Sequence, residues 1–292
     1  MQKKQKLYRR VGIVGLGLIG GSIGLDLMSL GVSVKGLVRN PQNVYRAKER
    51  GLAEVVSTDL EILRDCDVII LALPINELIH PSSDLINALP SNAVITDVAS
   101  VKAPILEKWN SLHPKFVGSH PMAGTALSGI ESGQLALFND RPWVVTPELN
   151  TDLNALKVVK EIAFDLGCKL IETDPRKHDE TVSLISHLPV FISAALIRTL
   201  GECKDPSILQ LSKELASTGF EDTSRVGGGN PQLGASMAEN NTSAVLKALS
   251  SYRWSLEQLE GAILNENWPQ LFKELQKTQY IRNDLMNDNN AV

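Results

Sequence analysis

Four stretches of this chain set polar or glycine residues at spacings that suit chemistry. Gly15-Leu16-Gly17-Leu18-Ile19-Gly20 follows the apolar run RVGIVGL (10–16) and opens a helical stretch. In that order Gly15 allows a tight turn, Gly17 lets the backbone approach a pyrophosphate, and Gly20 permits close packing of helix on strand. Phosphates then meet the free N–H groups of a helix N-terminus, so the contacts expected for a dinucleotide are Gly15, Gly17, Leu18, Ile19 and Gly20. TDVASVKAPI (96–105) follows a strand and carries Ser100 and Lys102 to the carboxyl edge of a sheet, where ligands bind. VGSHPMAGTALSGI (117–130) brings His120 to the same edge, among small residues that leave room for a substrate. DTSRVGGGNP (222–231) reads as a glycine-rich loop carrying Arg225.

The elements that must position these residues are legible in outline. RVGIVGL (10–16), VSVKGLV (32–38), DVIILAL (67–73), AVITDVA (93–99), KFVGSH (115–120), WVVTP (143–147) and CKLIET (168–173) read as strands, several of them apolar on both faces. Helical stretches fall at 20–30, at 41–50 and at 153–166. That alternation implies an α/β fold with a Rossmann-like, doubly wound parallel sheet over residues 1–173. From 174 to 292 apolar residues recur at three and four, which implies an all-α half. Residues 179–200 form a long helix interrupted at Pro189, 206–217 a shorter one, 231–264 one long helix and 267–285 a last one, with Pro231 and Pro269 in first turns. The 179–200 helix is apolar on most of its surface, and a homodimer interface through the helical half would cover it.

Composition narrows the partners. The chain has 292 residues and a net charge of −4, against a general grip on nucleic acid. Five basic residues in the first ten read as a solvated tail. The three cysteines, Cys66, Cys168 and Cys203, are odd in number and include no CxxC pair, which fits a reducing, cytosolic setting and no disulfide frame. No Cys/His spacing suggests a metal, and no apolar run reads as long enough to cross a bilayer.

The second strand decides which dinucleotide is expected. An NAD site ends that strand with a carboxylate for the ribose 2′-hydroxyl. Here it ends Val38-Arg39-Asn40, and the next carboxylate, Glu49, lies a helix away. A guanidinium pairs with a 2′-phosphate, so Arg39 points to NADP.

HPMAG (120–124), TSRVGGGNP (223–231) and SHLP (186–189) together closely resemble the prephenate/arogenate dehydrogenases of tyrosine biosynthesis, through nearly the whole chain. The Arg39 strand end and SHLPV look most like the cyanobacterial arogenate dehydrogenases. The resemblance implies oxidative decarboxylation of a cyclohexadienol, with His120 as the catalytic base and Arg225 holding the ring carboxylate. It implies that Ser100 bridges His120 and the nicotinamide and fixes the imidazole tautomer. It places His187 beside the nicotinamide, although the residue pattern alone also allows His187 simply to satisfy carbonyls freed by Pro189. Thr125 and Ser186 join His120 and Arg225 as substrate contacts. Prephenate-using relatives often carry a second histidine where this chain has Val190, so arogenate, giving L-tyrosine, is favoured over prephenate, giving 4-hydroxyphenylpyruvate. Two further classes remain: an NADP-dependent hydroxyacid dehydrogenase, which would want a lysine on the 179–200 helix, and a non-enzymatic NADP-binding sensor. Lys102 reads equally as a solvated stem or a sheet-edge contact, and His80, His113 and His178 read as surface residues.

Overall fold

The structure is a computed structural model that describes residues 6–125 and 127–287. The chain divides into two compact units, Met1–Thr242 and Ser243–Val292.

The first unit is built on a parallel sheet in the order β3-β2-β1-β4-β5-β6, made of β1 (Arg10–Val14), β2 (Ser33–Leu37), β3 (Val55–Ser57), β4 (Val68–Leu71), β5 (Val94–Asp97) and β6 (Phe116–Val117). Successive strand residues feed opposite faces. Val11, Ile13, Val68, Ile70 and Val94 enter one core, while Val14, Ile69, Leu71 and Ile95 enter the other. Both faces are therefore apolar, and helices cover both: α1 (Leu18–Ser29), α2 (Pro41–Glu49), α3 (Ile75–Ile79), α4 (Ser83–Ala88), α5 (Ala103–Trp109) and α6 (Leu153–Asp165). The order reverses between β1 and β4, which creates the crevice at the strands' carboxyl ends.

The KFVGSH run does not form one strand. It breaks at Gly118: β6 closes the parallel sheet, and β7 (Ser119–Pro121) starts a three-stranded sheet with β8 (Pro142–Val145) and β9 (Lys169–Glu172). β7 runs antiparallel to β8, with His120 opposite Val144, and β8 runs parallel to β9. Thr146 causes the break; its backbone N–H donates to the Gly118 carbonyl, and a Cβ on Gly118 would lie 2.8 Å from its Oγ1.

Beyond β9 the chain is helical: α7 (Pro175–Val182), α8 (Leu188–Gly201), α9 (Pro206–Leu215), α10 (Thr218–Ser224), α11 (Pro231–Asn240), α12 (Thr242–Leu264) and α13 (Trp268–Asn287). Four helix starts share one device, an Asx side chain followed by proline: Asn40-Pro41, Asp174-Pro175, Asp205-Pro206 and Asn230-Pro231. The carboxylate or amide accepts from first-turn N–H groups, and proline gives up a donor that would have no partner there.

Three helical expectations need correction. Residues 175–201 are continuous, with a π turn at Ser183–His187 in place of a break at Pro189. Proline has no N–H to give the Ile185 carbonyl, and the backbone widens just ahead of it. By length and composition this helix could cross a bilayer, contrary to the sequence reading. Residues 231–264 form two helices, because Asn241 leaves helical geometry and turns its amide inward to the Asp179 carbonyl at 2.8 Å. The supposed loop at 222–231 begins as the end of α10, with Arg225 as its C-cap.

The second unit comprises α12 from Ser243 onward and α13, joined through Asn265–Asn267 with Glu266 at φ 52. It exposes Trp254, Ile263, Leu264, Trp268 and Phe272.

A Cβ on Gly24 would lie 2.0 Å from the Leu52 carbonyl oxygen, whereas one on Gly201 meets nothing within 4 Å. Gly24→Ala should therefore destabilise by about 1–3 kcal/mol or more, lowering the thermal midpoint, while Gly201→Ala leaves it unchanged or slightly raised. Equal midpoints for the two variants would refute this packing.

Candidate active site

The glycine loop bridges β1 and α1 at the strand-order reversal. Gly15 has φ +95, and a Cβ there would come within 2.4 Å of the Ala72 carbonyl oxygen, so the turn excludes any side chain. At Gly20 a side chain is likewise excluded, since a Cβ would lie 2.0 Å from the Gly15 carbonyl oxygen. Gly17 differs, because its missing Cβ faces open space. It is the N-cap of α1 and carries no side-chain cap, so the first-turn N–H groups beside Leu18 and Ile19 are left for a ligand. These features fit a pyrophosphate.

Arg39 lies two residues beyond β2, its side chain 91% exposed, with Nη1 3.5 Å from Glu77 Oε1. So exposed and long a pair contributes little, and the guanidinium is available to a ligand. Asn40 is occupied in capping α2.

At the carboxyl edge of β5 a buried polar cluster ties the sheet to the helical segment. Asp97 accepts from the N–H groups of Ala99 (3.0 Å) and Ser119 (3.2 Å) and pairs with the Lys102 ammonium. Lys102 also donates to the Ser119 carbonyl at 2.7 Å. This settles its role as a wholly buried contact at the sheet edge. Burial pushes its ammonium down, while Asp97 and Asp179 hold it up. The backbone N–H groups of Lys102 and Ala103 donate to the two oxygens of Asp179, at 2.7 and 2.8 Å. The Asp179 carboxylate thus caps α5 from another helix.

His120, on β7, is 9% exposed. Its Nδ1 lies 2.9 Å from His178 Nε2, and His178 Nδ1 lies 2.7 Å from Asp179 Oδ1. His178 is 3% exposed, which corrects its reading as a surface residue: α7 packs against α5 and turns it inward. His113 is also buried, its Nε2 3.2 Å from the Pro90 carbonyl, whereas His80 is exposed as expected.

Burial, then repulsion from His178, Lys102 and His187, holds His120 well below the usual imidazole value. Burial likewise pushes His187 down to about 4, against the opposing pull of Asp179. Both rings are neutral at physiological pH, which suits them to accept a proton or a hydrogen bond.

Ser100 Oγ and His187 Nε2 are buried and have no hydrogen-bond partner among the described residues. The expected Ser100–His120 bond is therefore absent, and Ser100 does not fix the His120 tautomer, because His178 holds Nδ1. Buried polar groups without partners are expensive, so both atoms are candidates to meet a ligand. Asn241 Nδ2 reaches His187 Nδ1 at 3.4 Å, leaving Nε2 as the ring nitrogen without a partner among the described residues.

The remaining candidates are more exposed. Thr125 is exposed and accepts from the Leu127 N–H, and Ser186 is half-buried in the π turn. The loop after His120 is anchored at its far end by Arg50, which donates to the carbonyls of Ile130 and Gly133. Arg225 is exposed and forms no ion pair among the described residues. Its neighbour Gly227 is pinned through its N–H to Ser193 Oγ on α8, at 2.8 Å. His178, Asp179 and Asn241 escaped the sequence reading.

The pH dependence of stability follows from the two buried imidazoles. Unfolded, each binds a proton below about pH 6.5, while folded they resist it. Stability is full above that value and is lost as pH falls, on the order of 2–3 kcal/mol from His187 alone by pH 4. A thermal midpoint flat between pH 6.5 and 4.5, or a His187→Asn variant with an undiminished slope there, would contradict the burial of these rings.

The profile described as prephenate dehydrogenase, nucleotide-binding domain matches residues 23–172, and that described as prephenate dehydrogenase, dimerization domain matches residues 174–277. Among solved structures, Synechocystis arogenate dehydrogenase is 43% identical, covers 94% of this chain and 99% of its own, and superposes with a TM-score of 0.82. Prephenate dehydrogenase from Aquifex aeolicus, solved with hydroxyphenyl propionate and NAD+, is 28% identical over 97% of this chain and 100% of its own, at 0.89. Cyclohexadienyl dehydrogenase of Zymomonas mobilis is 26% identical over 97% of this chain and 98% of its own.

Proposed function

The chain belongs to the prephenate dehydrogenase family of oxidative, decarboxylating dehydrogenases, and within it we propose that this protein is an NADP-dependent arogenate dehydrogenase, converting L-arogenate to L-tyrosine and CO2. The observation that carries the chemistry is the buried, neutral imidazole of His120 at the sheet edge, in the same fold unit as two buried polar atoms without partners, Ser100 Oγ and His187 Nε2.

NADP, when bound, supplies the hydride acceptor. The glycine loop and the start of α1 hold its pyrophosphate through backbone N–H groups, with Arg39 on the 2′-phosphate. Ser100 Oγ and His187 Nε2 orient the nicotinamide end. As hydride leaves the ring carbon bearing the hydroxyl, that hydroxyl becomes acidic, and His120 takes its proton. Arg225 holds the ring carboxylate until it departs as CO2, a task for a planar fork of donors. Thr125 and Ser186 line the substrate side. Aromatisation drives the reaction forward, so the protein chiefly positions the reactants.

Arogenate is favoured over prephenate by the Synechocystis likeness and by Val190. This half-buried side chain, one turn beyond His187, lies toward Gly234 on α11 and offers no donor to a keto oxygen. Prephenate is the second reading, supported by the prephenate dehydrogenases of Aquifex aeolicus and Bacillus subtilis, the latter 25% identical over 94% of this chain. Residues 1–173 serve the dinucleotide, and residues 174–292 serve the substrate and a homodimer contact, in a cytoplasmic protein.

Steady-state rates with arogenate or prephenate, each with NADP or NAD, test the assignment; the arogenate–NADP pair should have the highest kcat/KM. Arg39→Ala should weaken NADP binding by about ten- to a hundredfold, the loss of one charge-assisted contact, and leave NAD unchanged. Equal losses for both dinucleotides would remove Arg39 from cofactor selection, and faster turnover of prephenate would overturn the substrate.

A further inference from the structure

We propose that His178 and Asp179 are positioning residues that hold His120 with its proton on Nδ1, leaving Nε2 bare as the base. The inference rests on the reading of His120 as the base and adds which nitrogen acts and what selects it. The heavy-atom contacts form an unbroken chain. Asp179 accepts backbone N–H bonds on both oxygens, from Lys102 and Ala103, so it is an ionised acceptor at the mouth of α5. The ring nitrogen facing that carboxylate, His178 Nδ1 at 2.7 Å, must be the donor. When the His178 ring carries that single N–H, its Nε2 presents a lone pair. His120 Nδ1, at 2.9 Å from it, must then donate, and the remaining His120 lone pair is on Nε2.

The rings are edge-on, 77° apart with centroids 5.1 Å apart, as a bond from one ring edge to the other requires. The charged and titratable groups around His120 are His178 and Asp179 on α7, His187 in the π turn, and the Lys102–Asp97 pair beside β5. Among the described residues only His178 is bonded to the ring itself. When Nε2 takes the hydroxyl proton, the new positive charge on His120 is stabilised through Nδ1–H and His178 toward the Asp179 carboxylate. No proton needs to leave Nδ1 for this to work.

The test uses the full chain with 15N-labelled histidine, and three variants. In the wild type at pH 8, nitrogen shifts should show His120 protonated at Nδ1 and bare at Nε2. His178→Met should lower kcat by about a hundredfold or more, the scale of a mis-set base, with KM and the NADP dissociation constant little changed. His178→Gln should recover most of the rate, because its carbonyl can still accept from His120 Nδ1 while its amide donates to Asp179. A wild-type His120 protonated at Nε2, or a His178→Met enzyme with normal kcat, overturns the positioning role, and the first result stands even if no variant folds. His120→Asn separates the two claims: an inactive His120→Asn beside a fully active His178→Met refutes the positioning alone, whereas an active His120→Asn refutes the base itself.

Discussion

One carboxylate joins the two halves of the site. Asp179 sits on a helix that follows the last strand, yet its oxygens are taken by the first N–H groups of α5 and by His178. Through the first it fixes where α7 meets the edge of the sheet. Through the second it fixes a ring that in turn fixes His120. Asn241 reaches back to the Asp179 carbonyl and to His187, so the same residue also places the second imidazole. The sheet edge, His120 and His187 therefore share one polar joint. Losing the Asp179 carboxylate would leave buried donors without acceptors at the start of α5 and on α7.

Such a joint is costly to bury and is tolerated because it is complete. Lys102 and Asp97 lie wholly inside, paired with each other and bonded to backbone on both sides, which offsets their desolvation. The partnerless atoms nearby in sequence, Ser100 Oγ and His187 Nε2, break the pattern of full satisfaction. Trp143 Nε1 on β8 is a further buried atom without a partner, but Ser100 and His187 lie beside the polar joint, where such gaps fit groups kept for a ligand. The depressed imidazole values have the same origin: burial that removes water also keeps the rings uncharged.

How much of this was legible depended on whether a signal was local. The glycine loop, the buried strands and the Asx-Pro helix starts are local, and the parallel sheet with its helices follows from them. Arg39 and His120 stood out because of their place after a strand. Three features depend on distant contacts and could not be read. Gly118 breaks a strand because Thr146 claims its carbonyl, Asn241 breaks a helix because Asp179 claims its amide, and His178 looks like a surface residue until α5 is packed against it. Ser100 reads as a sheet-edge residue bonded to His120, and its Oγ has no partner among the described residues.

The central claim is that a buried, neutral imidazole at position 120 accepts the substrate proton. The pH dependence of kcat/KM tests it most directly. With burial holding His120 well below the ordinary value, the wild-type rate should stay level from neutrality down through pH 6.5 and fall only at lower pH. An acidic limb centred at or above 6.5 would mean that the base is an ordinary solvated histidine, or another group altogether.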